Sequence, residues 1–204
     1  MLEAALQARI DELLDEGQEI WNRFDIEVRQ RNWHPFVPAD YTIVLRALLR
    51  LRDPGLRFLE WGSATGVITI MADMLGFEAY GIEIDPDLVV IARDLARRFD
   101  SRARFAAGSF LPTGYEWRSK TRDRRLGTIG VGPSAYLELG RPLEDFDLVY
   151  GYPWDGEAPI MHDLMHRHGG RNARLLQQTT AGVMVYARDP RTRQRVLQLK
   201  EQIS

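Results

Sequence analysis

The sequence of 204 residues contains no cysteine, which excludes disulfides, thiolate zinc sites and a cysteine nucleophile. No uncharged apolar run approaches the ~20 residues of a membrane-spanning helix. The first residues, MLEAALQARIDELLDEG, lack the basic-then-apolar order of a signal peptide. Neither sign of charge predominates, because 27 lysines and arginines oppose 29 aspartates and glutamates. Composition therefore demands neither a nucleic acid nor an anionic membrane as partner, and we expect a cytoplasmic protein.

The first 55 residues have helical patterning around a short interruption. Apolar residues recur three or four positions apart over residues 2–29, which predicts an amphipathic helix broken near Gly17. Asp40 is placed to cap a second helix, TIVLRALLRL. The interruption, NWHPFVPADY, is rich in aromatic residues, which favours a lid over a site rather than a linker. We assign residues 1–55 to an N-terminal helical extension or lid, whose first helix packs within the chain or forms a homodimer.

Short apolar strands alternate with helices from residue 56 onward. The strand candidates are LRFLEW, EAYGIEI, RFAAG, FDLVYGY, ARLLQQT and GVMVYAR. Helices are predicted between several of them, and the sixth strand follows the fifth too closely for a crossover, which favours antiparallel pairing. The tail, RTRQRVLQLKEQIS, is predicted as a short helix. This alternation predicts an α/β fold with a Rossmann-like, doubly wound, mostly parallel sheet.

The turn after the first strand, Glu60-Trp61-Gly62-Ser63-Ala64-Thr65-Gly66, has the composition of a ligand-binding turn. Glycines there let the backbone approach a ligand and leave amide donors exposed. A dinucleotide fingerprint would place its later glycines at Ala64 and Val67, so both are missed. Glu60 also adds negative charge where a pyrophosphate would lie, so an acid at this position suits a cationic ligand better.

This turn resembles motif I of the class I S-adenosylmethionine-dependent methyltransferases, an acid followed by glycines at alternate positions. Glu60, Gly62 and Gly66 match, and Ala64 replaces the middle glycine. The resemblance implies that residues 56–204 form an S-adenosylmethionine-binding methyltransferase domain. It implies further that Glu60 orients the amino-acid part of the cofactor, while the backbone of Gly62, Ser63, Ala64 and Gly66 packs along it.

Further cofactor contacts are expected at the ends of the second and third strands. Glu83 lies about 20 residues past the turn, where a carboxylate can accept both ribose hydroxyls of a nucleoside. Nicotinamide enzymes use the same spacing, so Glu83 alone does not discriminate. The resemblance implies that Ile84 contacts the adenine, that Ser109 meets the adenine amino group, and that Phe110 forms a stacking wall.

The fourth strand continues into a proline-aromatic turn, FDLVYGYPWDGE. This turn is similar to the Asn-Pro-Pro-Tyr type motif of enzymes that methylate planar amino groups, with Pro153 and Trp154 in its last two places. Gly151 and Tyr152 replace the polar residue and the first proline, so the substrate class does not carry over. We predict that Tyr152 and Trp154 act at the catalytic centre, by stabilising a cation or holding a planar substrate.

The family resemblance leads us to expect a methyltransferase that transfers a methyl group from S-adenosyl-L-methionine by in-line displacement. Three alternatives are an NAD(P)-dependent oxidoreductase, a non-catalytic methyltransferase-like scaffold, and aminopropyl transfer of the spermidine synthase kind. A small-molecule acceptor is favoured over protein or RNA because net charge is near zero, although the basic stretch 118–125 suits an anionic partner. No metal site is predicted, and His34 and Tyr41 are general-base candidates only if the lid closes.

Overall fold

The computed structural model describes residues 2–116, 129, 132–154, 156–188 and 197–204. The α-helices are α1 (Ala4–Phe24), α2 (Tyr41–Leu51), α3 (Val67–Met74), α4 (Pro86–Arg98), α5 (Tyr136–Leu139) and α6 (Ala158–His168). A π-helical turn, Asp25–Arg29, follows α1, and a 3-10 turn spans Leu143–Asp145. The strands are β1 (Arg57–Trp61), β2 (Glu78–Glu83), β3 (Arg104–Ala107), β4 (Leu148–Gly151), β5 (Arg174–Thr179), β6 (Gly182–Arg188) and β7 (Leu197–Ile203).

The seven strands form one sheet in the order β3-β2-β1-β4-β5-β6-β7. Within the described residues, β1 to β5 pair with one another in parallel, whereas β6 pairs antiparallel with both β5 and β7. The order reverses at β1, which lies between β2 and β4. Loops leaving the carboxyl ends of β1 and β4 diverge there and open a crevice. The predicted Rossmann-like, doubly wound sheet is therefore confirmed.

The carboxyl-terminal end of the sheet confirms one prediction and corrects another. β6 follows β5 after two residues and pairs with it antiparallel, as expected. The tail was predicted as a helix, and that prediction is wrong for Leu197–Ile203, which forms β7. This segment pairs with β6 from Val183 to Arg188. Pairing with the open edge of β6 satisfies its backbone hydrogen bonds, which outweighs a local preference for helix.

The first helix is not broken at Gly17. α1 runs without interruption through that residue, and Gly17 is buried against α3. A Cβ at this position would lie 2.6 Å from Cγ2 of Val67. The glycine is therefore explained by close approach of two helices, which matters more here than its low helix propensity.

The helices of residues 1–55 share a core with the sheet. Ile10 and Leu13 of α1 and Leu48 of α2 are fully buried in the same apolar cluster as Phe58 of β1 and Ile70 of α3. This cluster fills one face of the sheet. A second cluster, which includes Trp61, Phe146 and Met161, fills the opposite face. The division of the chain at residue 55 remains a prediction, since α1 packs on α3, and α2 packs on α3, β6 and β7.

The long connection between β3 and β4 contains α5 and the 3-10 turn, but the basic stretch 118–125 lies outside the described residues. Among the residues that the structure describes, no helix is long and apolar enough to cross a bilayer.

Candidate active site

A cavity of about 550 Å³ opens at the carboxyl ends of the central strands. It is bounded by the turn after β1, the ends of β2, β4 and β5, and the segment His34–Ala39 that precedes α2. Its volume lies within the ~300–1,000 Å³ typical of small-molecule sites. The crevice predicted by the sheet order is therefore present, and most of the predicted site residues line it.

The turn after β1 uses left-handed backbone at alternate residues. The φ angles of Gly62, Ala64 and Gly66 are 72°, 44° and 82°. Alanine in this region costs roughly 1–2 kcal/mol, which glycine avoids. A hydrogen bond of 2.9 Å from the Ala64 amide to Oε2 of Glu83 offsets part of that cost. Alanine in place of the middle glycine therefore leaves the turn intact. The Ala64 amide connects the turn to the end of β2.

Two glycines support the turn from beneath. A Cβ on Gly66 would lie 2.7 Å from Cζ of Phe105, and a Cβ on Gly81 would lie 2.7 Å from Oγ of Ser63. Gly66 is outside the cavity lining, whereas Gly62, Ser63 and Ala64 are within it. The contribution of Gly66 is thus packing and backbone direction, and Gly81 lets the turn rest directly on β2. Sequence analysis missed Gly81, because a glycine inside a strand carries no ligand signal by itself.

Glu60 is buried in the cavity wall, with only 4% of its surface exposed. Its Oε2 accepts a hydrogen bond of 2.5 Å from the Thr69 hydroxyl in the first turn of α3. Burial raises the pKa of Glu60 to about 8, and the negative charge of Glu83 acts in the same direction. A buried carboxyl with a raised pKa becomes a strong cation site once a positive ligand group pairs with it.

Glu83 lies on the wall beside the turn and is 7% exposed. Its Oε2 accepts from the Ala64 amide, and its Oε1 accepts from the Asp85 amide at 3.0 Å. A carboxylate oxygen can accept more than one hydrogen bond, so both oxygens retain capacity for ribose hydroxyls. Burial also raises the pKa of Glu83. Ile84 lines the cavity next to it, where an apolar contact with a base is feasible.

Ser109 and Phe110, the site residues predicted after β3, do not reach the cavity surface. Phe110 stacks on Trp61 with a ring separation of 5.2 Å, and neither Ser109 nor Phe110 lines the cavity. The backbone of Ser109 forms a bridge to Ser134, and its hydroxyl accepts from the Leu111 amide. The roles predicted for both residues, direct contacts with adenine, remain predictions; in this structure they support Trp61 and the loop after β3.

Tyr152 and Trp154 line the cavity at the end of β4. The carboxylate of Glu157 holds this turn, because its Oε2 accepts from the Trp154 amide at 2.9 Å. A Cβ on Gly151 would lie 2.8 Å from Sδ of Met161, so α6 fills the space of a side chain there. The position that holds a polar residue in the Asn-Pro-Pro-Tyr type motif is a glycine here, and the end of the Met161 side chain lies beside it.

The predicted lid segment borders the cavity. His34 Nδ1 accepts from the Phe36 amide at 3.1 Å, so Nε2 carries the proton and donates to Oδ2 of Asp85 at 3.0 Å. On the other side, Trp33 meets Trp154 edge-on, with ring centroids 6.2 Å apart. The segment is thus attached both to the start of α4 and to the turn after β4. Both nitrogens of His34 are engaged, which leaves neither available as a base.

The end of β5 contributes residues that sequence analysis missed. Gln177, Gln178, Thr179 and Thr180 all line the cavity. Tyr150 donates a hydrogen bond of 2.5 Å to Oε1 of Gln178, and Gln177 Oε1 lies 2.9 Å from Nε2 of His162. Two adjacent amides at the end of a predicted parallel strand were the available signal. That signal is weak, because polar residues also end many strands that bind nothing.

The charge of the cavity is one-sided. Glu60 and Glu83 line it, and within the described part of the chain its lining includes neither lysine nor arginine. The described residues also contain no cluster of three or more histidines, cysteines, aspartates or glutamates that could hold a metal ion. The arrangement therefore suits a ligand that carries positive charge and opposes one that carries phosphates.

No protein-family model matches the chain. Over 75 residues the chain is 40% identical to the ribosomal protein L11 methyltransferase of Thermus thermophilus, a match that covers 35% of this chain and 30% of that protein. The chain thus matches less than a third of that relative's length.

Solved structures also align with the chain. The RNA methyltransferase from Salinibacter ruber in complex with S-adenosyl-L-homocysteine aligns with 19% identity and a TM-score of 0.49, over 69% of this chain and 76% of that chain. The precorrin-6y C5,15-methyltransferase from Geobacter metallireducens aligns with 17% identity and a TM-score of 0.46, over 70% of this chain and 66% of that chain.

Proposed function

We propose that this chain is a class I S-adenosylmethionine-dependent methyltransferase, which binds S-adenosyl-L-methionine in the cavity and transfers its methyl group to an acceptor. The observation that carries this proposal is the pair of buried carboxylates, Glu60 and Glu83, in a cavity whose described lining includes no lysine or arginine. A zwitterionic amino acid joined to a sulfonium supplies the positive charge that this site lacks.

The residues present fit such a ligand. Glu60 would pair with the ammonium group, and Glu83 would accept the ribose hydroxyls, with Ile84 against the base. The left-handed turn at Gly62 and Ala64 keeps the backbone close to the wall and leaves room for the amino-acid part. These roles are proposals, and they use the same residues that the motif I resemblance implies.

When bound, the cofactor supplies a methyl group on a positively charged sulfur, which is transferred in one in-line displacement. The protein positions the two reactants and excludes water from the site. Holding both reactants in line can account for ~7–11 kcal/mol of the barrier. The segment His34–Ala39 and the side chains of Tyr152 and Trp154 also line the cavity, where they can exclude water and hold an acceptor.

A nicotinamide-dependent oxidoreductase is less well supported. Its dinucleotide has a pyrophosphate, which requires amide donors at the helix N-terminus and tolerates no adjacent anion. Here the buried Glu60 lies at the end of β1, and the Ala64 amide is already bonded to Glu83. A scaffold without a ligand is less well supported, because two buried carboxyls, Glu60 and Glu83, line an open cavity and their burial carries a cost.

Isothermal titration calorimetry tests the proposal directly. We expect S-adenosyl-L-methionine and S-adenosyl-L-homocysteine to bind, and NAD(H) and NADP(H) to give no heat under the same conditions. Glu83→Ala should weaken nucleoside binding, and Asp87→Ala, which changes an exposed residue of the first turn of α4, is the matched control. Binding of NAD(H) without binding of S-adenosyl-L-methionine would refute the proposal.

A further inference from the structure

The inference concerns the acceptor, and it rests on the proposed function. We propose that the acceptor is a small planar molecule that is uncharged before transfer and becomes a cation when methylated, such as an aromatic heterocycle with an unprotonated ring nitrogen.

The charges of the cavity favour a product that is positive. With Glu60 and Glu83 ionised, the described lining carries two negative charges and no lysine or arginine. The bound methyl donor brings one net positive charge. When a neutral nitrogen receives the methyl group, that positive charge passes to the product and stays in the cavity. An anionic acceptor would instead bring another negative charge into a site that already has an excess of them.

The proposed function assigns Glu60 and Glu83 to the cofactor, and the other groups considered as bases are unsuitable for removing a proton from an acceptor. His34 has both nitrogens engaged, by the Phe36 amide and by Asp85. Burial, and then the charge of Glu60, raise the pKa of Tyr41, and burial likewise raises the pKa of Tyr150. Neither phenol is therefore a base near neutral pH. A nucleophile with a free lone pair needs no base, whereas a phenol or an alcohol does.

The walls of the cavity suit a flat ring. Phe36 from the lid and Tyr152 and Trp154 from the turn after β4 all line it. Aromatic faces hold planar molecules and attract cations. Gly151 has no side chain, and the end of the Met161 side chain lies in the space beside it. This position therefore offers no side chain that could accept a hydrogen bond from an exocyclic amino group. An unprotonated ring nitrogen has no N–H and needs no such acceptor.

The transfer balances without a further reactant. The lone pair of the acceptor nitrogen forms the new bond to the methyl carbon, and the carbon–sulfur bond breaks with its electron pair going to sulfur. The positive charge moves from sulfur to nitrogen. No proton leaves in this step, so the transfer needs no base.

Three bicyclic aromatic probes of similar size test the charge preference by calorimetry on the complex with S-adenosyl-L-homocysteine. They are N-methylquinolinium, 1-methylnaphthalene and 1-naphthoate, which are cationic, neutral and anionic. We expect affinity to fall in that order, with at least about a tenfold difference between cation and anion. Equal affinities, an anion-first order, or no binding by any probe would overturn the inference.

Two variants of one residue test the aromatic wall. Trp154→Leu should reduce the affinity for N-methylquinolinium by about three- to tenfold, whereas Trp154→Phe, which keeps an aromatic face, should retain most of it. Equal loss in both variants would contradict an aromatic contact with the cation. Affinity for S-adenosyl-L-homocysteine, measured on the same preparations, checks that the site is folded.

The same measurements separate the two proposals. If S-adenosyl-L-homocysteine does not bind the wild-type protein, the proposed function fails and the acceptor inference fails with it. If it binds, and the probes show no preference for the cation, the acceptor inference alone is refuted and the methyltransferase assignment is unaffected.

Discussion

The hydroxyl of Thr69 donates a 2.5 Å hydrogen bond to Oε2 of Glu60, so the first turn of α3 holds the carboxylate that ends β1. The two residues are part of the strand-turn-helix unit that forms the site. Burial keeps the pKa of this carboxyl near 8, and the Thr69 bond opposes that effect by stabilising the ionised form. The charge state of the proposed cofactor site therefore depends on this pair.

The first prediction concerns the pH dependence of cofactor binding. Ionised Glu60 is needed to pair with a ligand ammonium, so affinity for S-adenosyl-L-methionine should rise with pH until about pH 8. Each unit below that value should weaken binding by up to about tenfold. Titration calorimetry from pH 6 to pH 8.5 measures this slope, and Glu60→Gln should bind weakly with most of the slope removed.

The groups around Glu60 determine which residues can contribute to the pH dependence of cofactor affinity. Thr69 does not titrate, and the pKa values of Tyr41 and Tyr150 are raised above their ordinary range. Glu83 is the other carboxyl with a raised pKa, and it accounts for any slope that remains in the Glu60→Gln variant. A wild-type affinity that is constant over this range would contradict the assignment of Glu60.

The second prediction concerns Thr69 itself. Thr69→Val keeps the shape of the side chain but removes the hydroxyl, which leaves the buried carboxylate without this donor. A hydrogen bond to a charged group contributes ~1.5–3 kcal/mol, so affinity for S-adenosyl-L-methionine at pH 7 should fall about tenfold or more. Thr69→Ser retains the donor and should bind within a few-fold of wild type; equal losses in both variants would exclude the hydrogen bond as the cause.

The third prediction concerns stability without ligand. The pKa of Glu60 is about 8 in the folded chain against 4.5 for the unperturbed group, so the folded state favours the protonated form. Its stabilising contribution is complete below about pH 4.5 and is lost as pH rises to about 8. The free energy of unfolding in urea should decline more steeply over this range in wild type than in Glu60→Gln. Parallel profiles would contradict the raised pKa.

The fourth prediction concerns the attachment of the lid. His34→Ala and Asp85→Asn should each increase the dissociation rate of S-adenosyl-L-homocysteine in stopped-flow experiments, because the segment at the cavity loses its link to α4. Asp85→Asn keeps an oxygen for the Asp87 amide, so the helix cap is preserved. If the two residues act through their contact, the double variant should resemble either single one. Additive effects would show that they act independently.

The fifth prediction compares two glycines with the same backbone strain. Gly66 and Gly55 have φ angles of 82° and 86°, but only Gly66 is crowded, by Phe105 and Ala92. Gly55→Ala should cost only the ~1–2 kcal/mol of left-handed alanine. Gly66→Ala should cost a further ~1–3 kcal/mol from overpacking, measured as the difference in unfolding free energy by urea denaturation. Equal losses would show that the steric contact relaxes at no cost.

Local patterns determined most of the sheet and the part of the site that lies close to single strand ends. Apolar runs, helix spacing and the turn from Glu60 to Gly66 depend on short-range physics, and so does the position of Glu83 at the end of the next strand. These features can be predicted because strand direction alone brings the carboxyl ends of parallel strands to one edge of the sheet.

Tertiary structure alone decided the remaining features, since each depends on partners far apart in the chain. Leu197–Ile203 forms a strand because it pairs with the open edge of β6. Gly17 lies within α1 because a larger residue would collide with Val67. Phe110 stacks on Trp61 instead of lining the cavity, whereas Gln177 and Gln178, which were not predicted, line it. The raised pKa of Glu60 has the same origin, because burial by α2, α3 and β4 is a property of packing that no stretch of sequence specifies by itself.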